Sequence, residues 1–226
     1  MSRMVIFFLV VVTLGLAILL AALGLATLWT NLLGWFLLIS GLIYFFGIVI
    51  VYWFRRIQFW RPRAKGEMIR EERSDWSFWF IVVGMVSAFY LPPLEYLLTE
   101  GVLPRASFMQ VAGLFLIIFG SALFIWARRT LGHFYSGHVS VIEGQPLMQS
   151  GPYGFIRHPA YAGYLLITLG LAIGYSSLIG LVAILVLLLP SVLYRMNVEE
   201  KLLHEHFGES YHRYANRIKR LLPGIW

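Results

Sequence analysis

The chain has no cysteine among its 226 residues. That absence excludes disulfides, a thiolate nucleophile and cysteine-ligated zinc or iron–sulfur sites. Charge is scarce as well: only 13% of residues are charged against 59% hydrophobic, and mean hydropathy is +0.76. Such a composition lies outside the soluble globular class and inside the membrane class. Between Val5 and Phe54 there is no charged residue at all, so the first two expected spans offer no polar path for a translocated solute. Chemistry has to come from Arg, His, Glu, Tyr and the backbone. The net charge of +7 has its ordinary explanation in Lys and Arg retained on the cytoplasmic side of a membrane, and nucleic acid is not an expected partner.

A bilayer core needs roughly 20 apolar residues of helix. The chain supplies such runs at about 4–27, 32–54, 77–98 and 108–127. The first run, Val5 to Leu28, is longer than a signal-peptide core and leads into a second span, which predicts an uncleaved helix. Trp29, Trp35 and Trp53 fall near the expected interfaces. Residues 55–75 carry seven basic residues against four acidic ones, so this loop is assigned to the cytoplasm. Arg3, Arg128 and Arg129 then fall on the same side, and the weakly charged loop Glu100 to Arg105 on the other. Leu91-Pro92-Pro93 is expected to kink or stop the third span, with Glu95 near the far interface.

After the fourth span the character changes, because all six histidines lie beyond residue 132. Residues 128–157 form a Gly-rich polar connection, the kind of long loop that carries function more often than not. The apolar stretch Pro159 to Leu193 is divided by Gly174-Tyr175-Ser176-Ser177 and predicts a tight helical hairpin. Pro159 suits the first turn of a helix, and Pro190 is expected to kink the second arm. From Asn197 to Leu222, apolar residues at Leu203, Phe207, Tyr211, Tyr214, Ile218 and Leu221 recur every three or four positions. They predict an amphipathic helix interrupted at Gly208, its two tyrosines serving packing. The predicted fold class is therefore all-α: a polytopic membrane bundle of about six spans, the last two a hairpin, plus a C-terminal amphipathic helix. Residues 1–127 form an N-terminal transmembrane scaffold of about four helices, and 128–226 a functional core.

A hairpin returns the chain to its starting side, so it brings Arg157 and His158 to the height of Arg195, Glu199 and Glu200. Arg195 and Glu199 are four apart on one helix and can simply pair. A cation and carboxylates around one cavity also suit a carboxylate-bearing or zwitterionic ligand. His204 and His206 point to different helix faces, and His133 and His138 have no clear partner, so no metal is expected. There is no dinucleotide fingerprint and no nucleophile elbow.

The run GPYGFIRHPAYAG at 151–163, followed by a hairpin and then EEKLLHEHFGESYHRYANRIKRLLP, resembles the isoprenylcysteine carboxyl methyltransferase family over about residues 128–223. The resemblance implies an S-adenosylmethionine-dependent membrane methyltransferase, its cofactor entering from the cytosol and its lipid-like or prenylated acceptor from the bilayer. It implies cofactor contacts at His138, Gln145, Pro146, Leu147, Met148, Tyr153, His158, Pro159, Ala160, Tyr161 and Glu199, and an acceptor carboxylate held by Arg195. Arg157 is assigned a supporting catalytic role, bracing the loop or binding the cofactor carboxylate. The active site is expected on the cytoplasmic face, of the plasma membrane in a prokaryote or the endoplasmic reticulum in a eukaryote; no oligomeric state follows. The alternatives are a phospholipid N-methyltransferase or small-thiol methyltransferase, a sterol-reductase-like NADPH enzyme, and a non-enzymatic membrane protein.

Overall fold

The computed structural model describes residues 14–25, 35–36, 38–39, 41–42, 68–71, 77–99, 107–135, 140–142 and 144–224. The expectations for Trp29, Trp53, His138, the Glu100 to Arg105 loop and most of the first two spans fall outside them. Two compact units are present, one of residues 1–61 with 106–111 and one of residues 62–105 with 112–226.

In the first unit, helix α1 (Leu14–Leu25) packs backbone-close against the segment that follows it. A Cβ on Gly24 would lie 2.4 Å from the Leu38 nitrogen, and one on Gly41 would lie 2.8 Å from the Ala17 carbonyl oxygen. Small residues permit this approach where lipid tails supply no hydrophobic drive between helices.

The second unit carries α2 (Ser77–Thr99), α3 (Ser107–Leu131) from residue 112 on, α4 (Pro159–Gly174), α5 (Leu178–Ala183), α6 (Leu189–Phe207) and α7 (Glu209–Arg217). Among the described residues, Phe80–Thr99, Phe108–Leu131 and Leu178–Phe207 are long and apolar enough to cross a membrane, while Leu14–Leu25 and Pro159–Gly174 are shorter apolar helices. The helical architecture has one addition. Short strands β1 (Met68–Glu71) and β2 (Ser140–Ile142) pair antiparallel, with Arg70 opposite Val141 and Glu71 opposite Ser140. This ribbon joins the loop after the second expected span to the loop after the fourth, so both lie at one end of the bundle. Buried Val141 rests on Leu202 of α6.

The core is built from Ile81 and Ala88 of α2, Ala172 of α4, and Ile184, Leu188, Val192 and Met196 of the last span. At the α3–α4 contact, glycine sets the distance: a Cβ on Gly163 would meet the Gly120 carbonyl at 2.7 Å, and one on Gly170 the Gly113 carbonyl at 2.6 Å.

Three sequence expectations sharpen or change. Of the kink or stop expected at Pro92 and Pro93, the stop is absent, and both prolines are fully buried inside a continuous α2; neighbouring helices make such residues tolerable in membrane bundles. Glu95, expected near the far interface, is 4% exposed and is tied to the hairpin tip. Its Oε2 accepts from the Ser177 hydroxyl and, at 3.1 Å, from the Ile179 N–H. The second arm does not end at Leu193. It runs to Phe207, because no glycine or proline interrupts it between Pro190 and Gly208.

The break predicted at Gly174 to Ser177 is present. Tyr175 is buried, Ser176 takes φ 52°, and the Ser177 hydroxyl caps α5 by accepting from the Gly180 N–H at 2.8 Å. The defect at Pro190 takes the form of a π turn, Ile184–Leu188. There the Leu189 N–H reaches back five residues to the Ile184 carbonyl, and the Ser191 hydroxyl donates to the Leu187 carbonyl.

Candidate functional site

The foot of α4 is where the polar groups gather. Gly151 (φ 58°) opens a 3-10 turn, Gly151–Gly154, and the chain then passes extended through Ile156 before Pro159 starts the helix. Here the C-terminal segment lies alongside. The Arg157 N–H donates to the Lys219 carbonyl at 2.8 Å and the His158 N–H to the Arg220 carbonyl at 3.0 Å. Gly208 (φ 52°) ends α6 and turns α7 back over the loop. The buried face of α7 is Tyr211 and Tyr214, and Tyr214 Oη donates to the Tyr153 carbonyl at 2.8 Å. The amphipathic helix therefore lies on the site, with Arg213 and Arg217 outward.

Glu200 is the hub. Its Oε1 accepts from Arg157 Nε at 3.0 Å and pairs with Arg157 Nη2 at 2.9 Å. His158 Nε2 lies 3.0 Å from the same oxygen. Oε2 accepts from Arg220 Nη2 at 2.7 Å and Nε at 3.1 Å. Every participant is largely enclosed: His158 is 3% exposed, Arg157 10%, Glu200 12% and Arg220 28%. Buried charges are tolerated when paired and hydrogen-bonded in this way. Arg157 also donates through Nη1 to the Ala215 carbonyl at 2.7 Å and to the Ile218 carbonyl. It joins the loop, α6 and the end of α7 through one guanidinium.

A second row runs beside this cluster. Arg195 is buried, and its Nε donates to Tyr161 Oη at 3.2 Å. Glu199 follows Arg195 by one turn of α6. Glu199 is the open carboxylate, 36% exposed, with His158 Nδ1 at 3.9 Å. Burial pushes the Tyr153 and Tyr211 phenols up and the Tyr214 phenol up to about 12, so all three are neutral near pH 7.

The hairpin thus brings together Arg157, His158, Pro159, Tyr161, Arg195 and Glu199, with Tyr153 behind them. Ala160 is half-buried on the first turn of α4. Gln145, Leu147 and Met148 are half-buried in the irregular chain before Gly151, and Pro146 is exposed. Met148 Sδ accepts from Ser150 Oγ at 3.6 Å, and Arg217 Nη2 donates to Gln149 Oε1 at 3.0 Å, linking this segment to α7. His138 is outside the described residues. Among them, no group of three or more His, Asp or Glu could hold a metal.

Arg220 was not a site candidate on sequence. The amphipathic helix expected from Asn197 to Leu222 includes it, whereas the helix ends at Arg217 and the chain then continues as an extended segment. The only signal was a basic residue ahead of the terminal proline.

A family model described as phospholipid methyltransferase matches residues 108–210. The probable protein-S-isoprenylcysteine O-methyltransferase of Oryza sativa subsp. indica is 30% identical over 121 residues, covering 52% of this chain and 63% of that protein. The protein-S-isoprenylcysteine O-methyltransferase of Saccharomyces cerevisiae is 31% identical over 117 residues, 51% of this chain and 49% of that protein. The Homo sapiens protein of the same name is 30% identical over 126 residues, 54% and 44% respectively. The chain therefore spans less than two thirds of the length of these relatives. The solved structure of the eukaryotic intramembrane Ras methyltransferase ICMT superposes with a TM-score of 0.58 at 20% identity, covering 92% of this chain and 73% of that one, which shows a shared fold. The arginine-histidine-proline foot and the glutamate pair both fall within residues 108–210, the stretch that the family model matches, and the chain is similar over about half its length to the protein-S-isoprenylcysteine O-methyltransferases.

Proposed function

We propose that this protein is an integral membrane methyltransferase that transfers a methyl group from S-adenosylmethionine to the carboxylate of a lipid-like acceptor, a prenylcysteine or similar amphiphile, at the cytoplasmic face. The observation that carries the reading is Arg195, bonded to Tyr161 and one helical turn from the open carboxylate Glu199, beside the Glu200 clamp at the foot of α4. It sets a cation for an acceptor carboxylate beside an open carboxylate for a cationic, hydroxyl-bearing cofactor. That donor set fits S-adenosylmethionine: Glu199 is open to a ligand while Glu200 is taken up by Arg157, His158 and Arg220. When bound, the cofactor supplies an electrophilic methyl group.

The residues then have separate tasks. A carboxylate acceptor is already ionised near neutral pH, so no base is needed. Arg195 orients it, and Tyr161 holds the Arg195 side chain in place. Glu199, with His158 and Tyr153, forms the cofactor side. Arg157 is a brace, because its guanidinium is engaged by Glu200 and by the Ala215 and Ile218 carbonyls. Alignment of this kind is worth roughly 7–11 kcal/mol of barrier, and enclosure in the bilayer limits competing water. Residues 128–226 carry this chemistry and the N-terminal helices of 1–127 support it.

The description of the matching family model favours a second reading, a phospholipid amine as acceptor. It requires a base. Glu200 is held by two guanidiniums, which leaves His158 for that role. The deciding experiment is calorimetry of S-adenosylmethionine on the detergent-purified protein, with His158→Ala and Glu199→Ala alongside, followed by a methylation screen of farnesylcysteine against phosphatidylethanolamine. Saturable binding lost in both variants and methylation of the carboxylate support the reading; a folded protein that binds no S-adenosylmethionine sinks it.

A further inference from the structure

The face of α7 that lies on the site contains two tyrosines with different circumstances. Tyr214 is explained by the protein itself: it is buried, and its hydroxyl donates to the Tyr153 carbonyl. Tyr211, three residues earlier and one turn away, is 3% exposed, yet its Oη has no hydrogen-bond partner among the described residues. Its ring stands 6.0 Å from that of Tyr214 and 6.5 Å from that of His204. It shares the buried face of α7 with Tyr214, the residue bonded to Tyr153 of the loop below.

A buried hydroxyl without a partner is a net cost to the fold, and phenylalanine would fill the same space without it. Glu95 Oε1 is also unpartnered, but its sister oxygen takes two donors and an under-used acceptor is cheaply borne. Tyr211 has no such compensation. Its phenol is pushed up by burial, so the group stays a proton donor throughout the physiological range.

We propose that Tyr211 Oη is a binding contact for the methyl donor, donating to an oxygen of its ribose or amino-acid portion between α7 and Glu199. This rests on the methyltransferase reading above and adds to it a residue whose hydroxyl packing does not account for. Glu199 and Tyr211 then hold the polar half of the cofactor from two elements, and α7 becomes part of the binding site rather than a cover.

The test uses the full-length, detergent-purified protein and two variants, Tyr211→Phe and Tyr214→Phe. Binding of S-adenosylmethionine and of S-adenosylhomocysteine is measured by calorimetry, and melting temperature is measured without ligand. Tyr211→Phe is expected to melt no lower than the unaltered protein while losing roughly five- to tenfold in affinity, the effect of one hydrogen bond. Tyr214→Phe is expected to melt lower, having lost its bond to Tyr153. A Tyr211→Phe protein that melts lower without ligand, or that binds as tightly as the unaltered protein, overturns the assignment by showing that the hydroxyl serves the fold or nothing. Absence of binding in the unaltered protein has a different meaning, since it removes the methyl donor and this contact together.

Discussion

The two ends of α4 each hold a buried carboxylate, and they are satisfied by opposite means. At the tip, Glu95 sits among neutral donors, the Ser177 hydroxyl and the Ile179 N–H at the start of α5, where the helix dipole favours a negative group. At the foot, Glu200 is held by two arginines and a histidine drawn from two segments, residues 157–158 and the stretch after α7. A carboxylate held by backbone and hydroxyl groups joins neighbouring elements and leaves nothing over for chemistry. One held by cations gathers long, polarisable side chains around it, and beside that cluster lies the open carboxylate Glu199. The same residue type is a structural pin at one end and an organiser of a site at the other.

The largest effect is expected from breaking the foot. Arg157→Ala leaves two backbone carbonyls and part of Glu200 without donors, and should cost about 3–5 kcal/mol, read as a fall in melting temperature together with loss of methyl transfer. Retention of full stability would mean that Arg157 does not brace the C-terminal segment. Next, Arg195→Ala separates binding from turnover. It should lower acceptor methylation by about 100-fold or more while S-adenosylmethionine affinity stays within a few-fold; equal loss of both would place Arg195 on the cofactor side. The tip should respond more mildly and without chemistry. Glu95→Leu leaves the Ser177 hydroxyl and Ile179 N–H without an acceptor, at about 1–3 kcal/mol, whereas Glu95→Gln keeps an acceptor and should cost less than about 1 kcal/mol. In both, the Michaelis constants for cofactor and acceptor should stay unchanged. A shift in either constant would show that the two ends are coupled through α4.

Much of this was legible from residue order. The apolar runs marked helices, Gly174 to Ser177 marked the hairpin tip, and the two polar stretches were expected to meet because a hairpin returns to its origin. Element ends were less legible where a stop signal was weighed alone. Pro92 and Pro93 read as a break, but buried against the hairpin they lie within an intact helix. Leu193 read as an end because hydropathy falls there, yet helix propensity carries α6 on to Gly208. Roles within the cluster were least legible. Glu199 and Glu200 are adjacent and chemically identical, and helical geometry alone turns one toward the arginines and leaves the other open.

By itself, the order of residues determined that the chain is a membrane helical protein without cysteine chemistry, with all six histidines beyond residue 132 and a motif at 151–163 that resembles a known family. Those properties are local: hydropathy, spacing and residue type act within a few turns of helix. Only the tertiary structure decided which charge meets which. Arg157 reaches Glu200, Ala215 and Ile218 across 43, 58 and 61 residues, and Arg195 reaches Tyr161 across 34. The physical reason is that desolvated charges must be paired wherever the fold encloses them, and which partners are within reach depends on how α4, α6 and α7 pack, a matter of shape that no single segment contains.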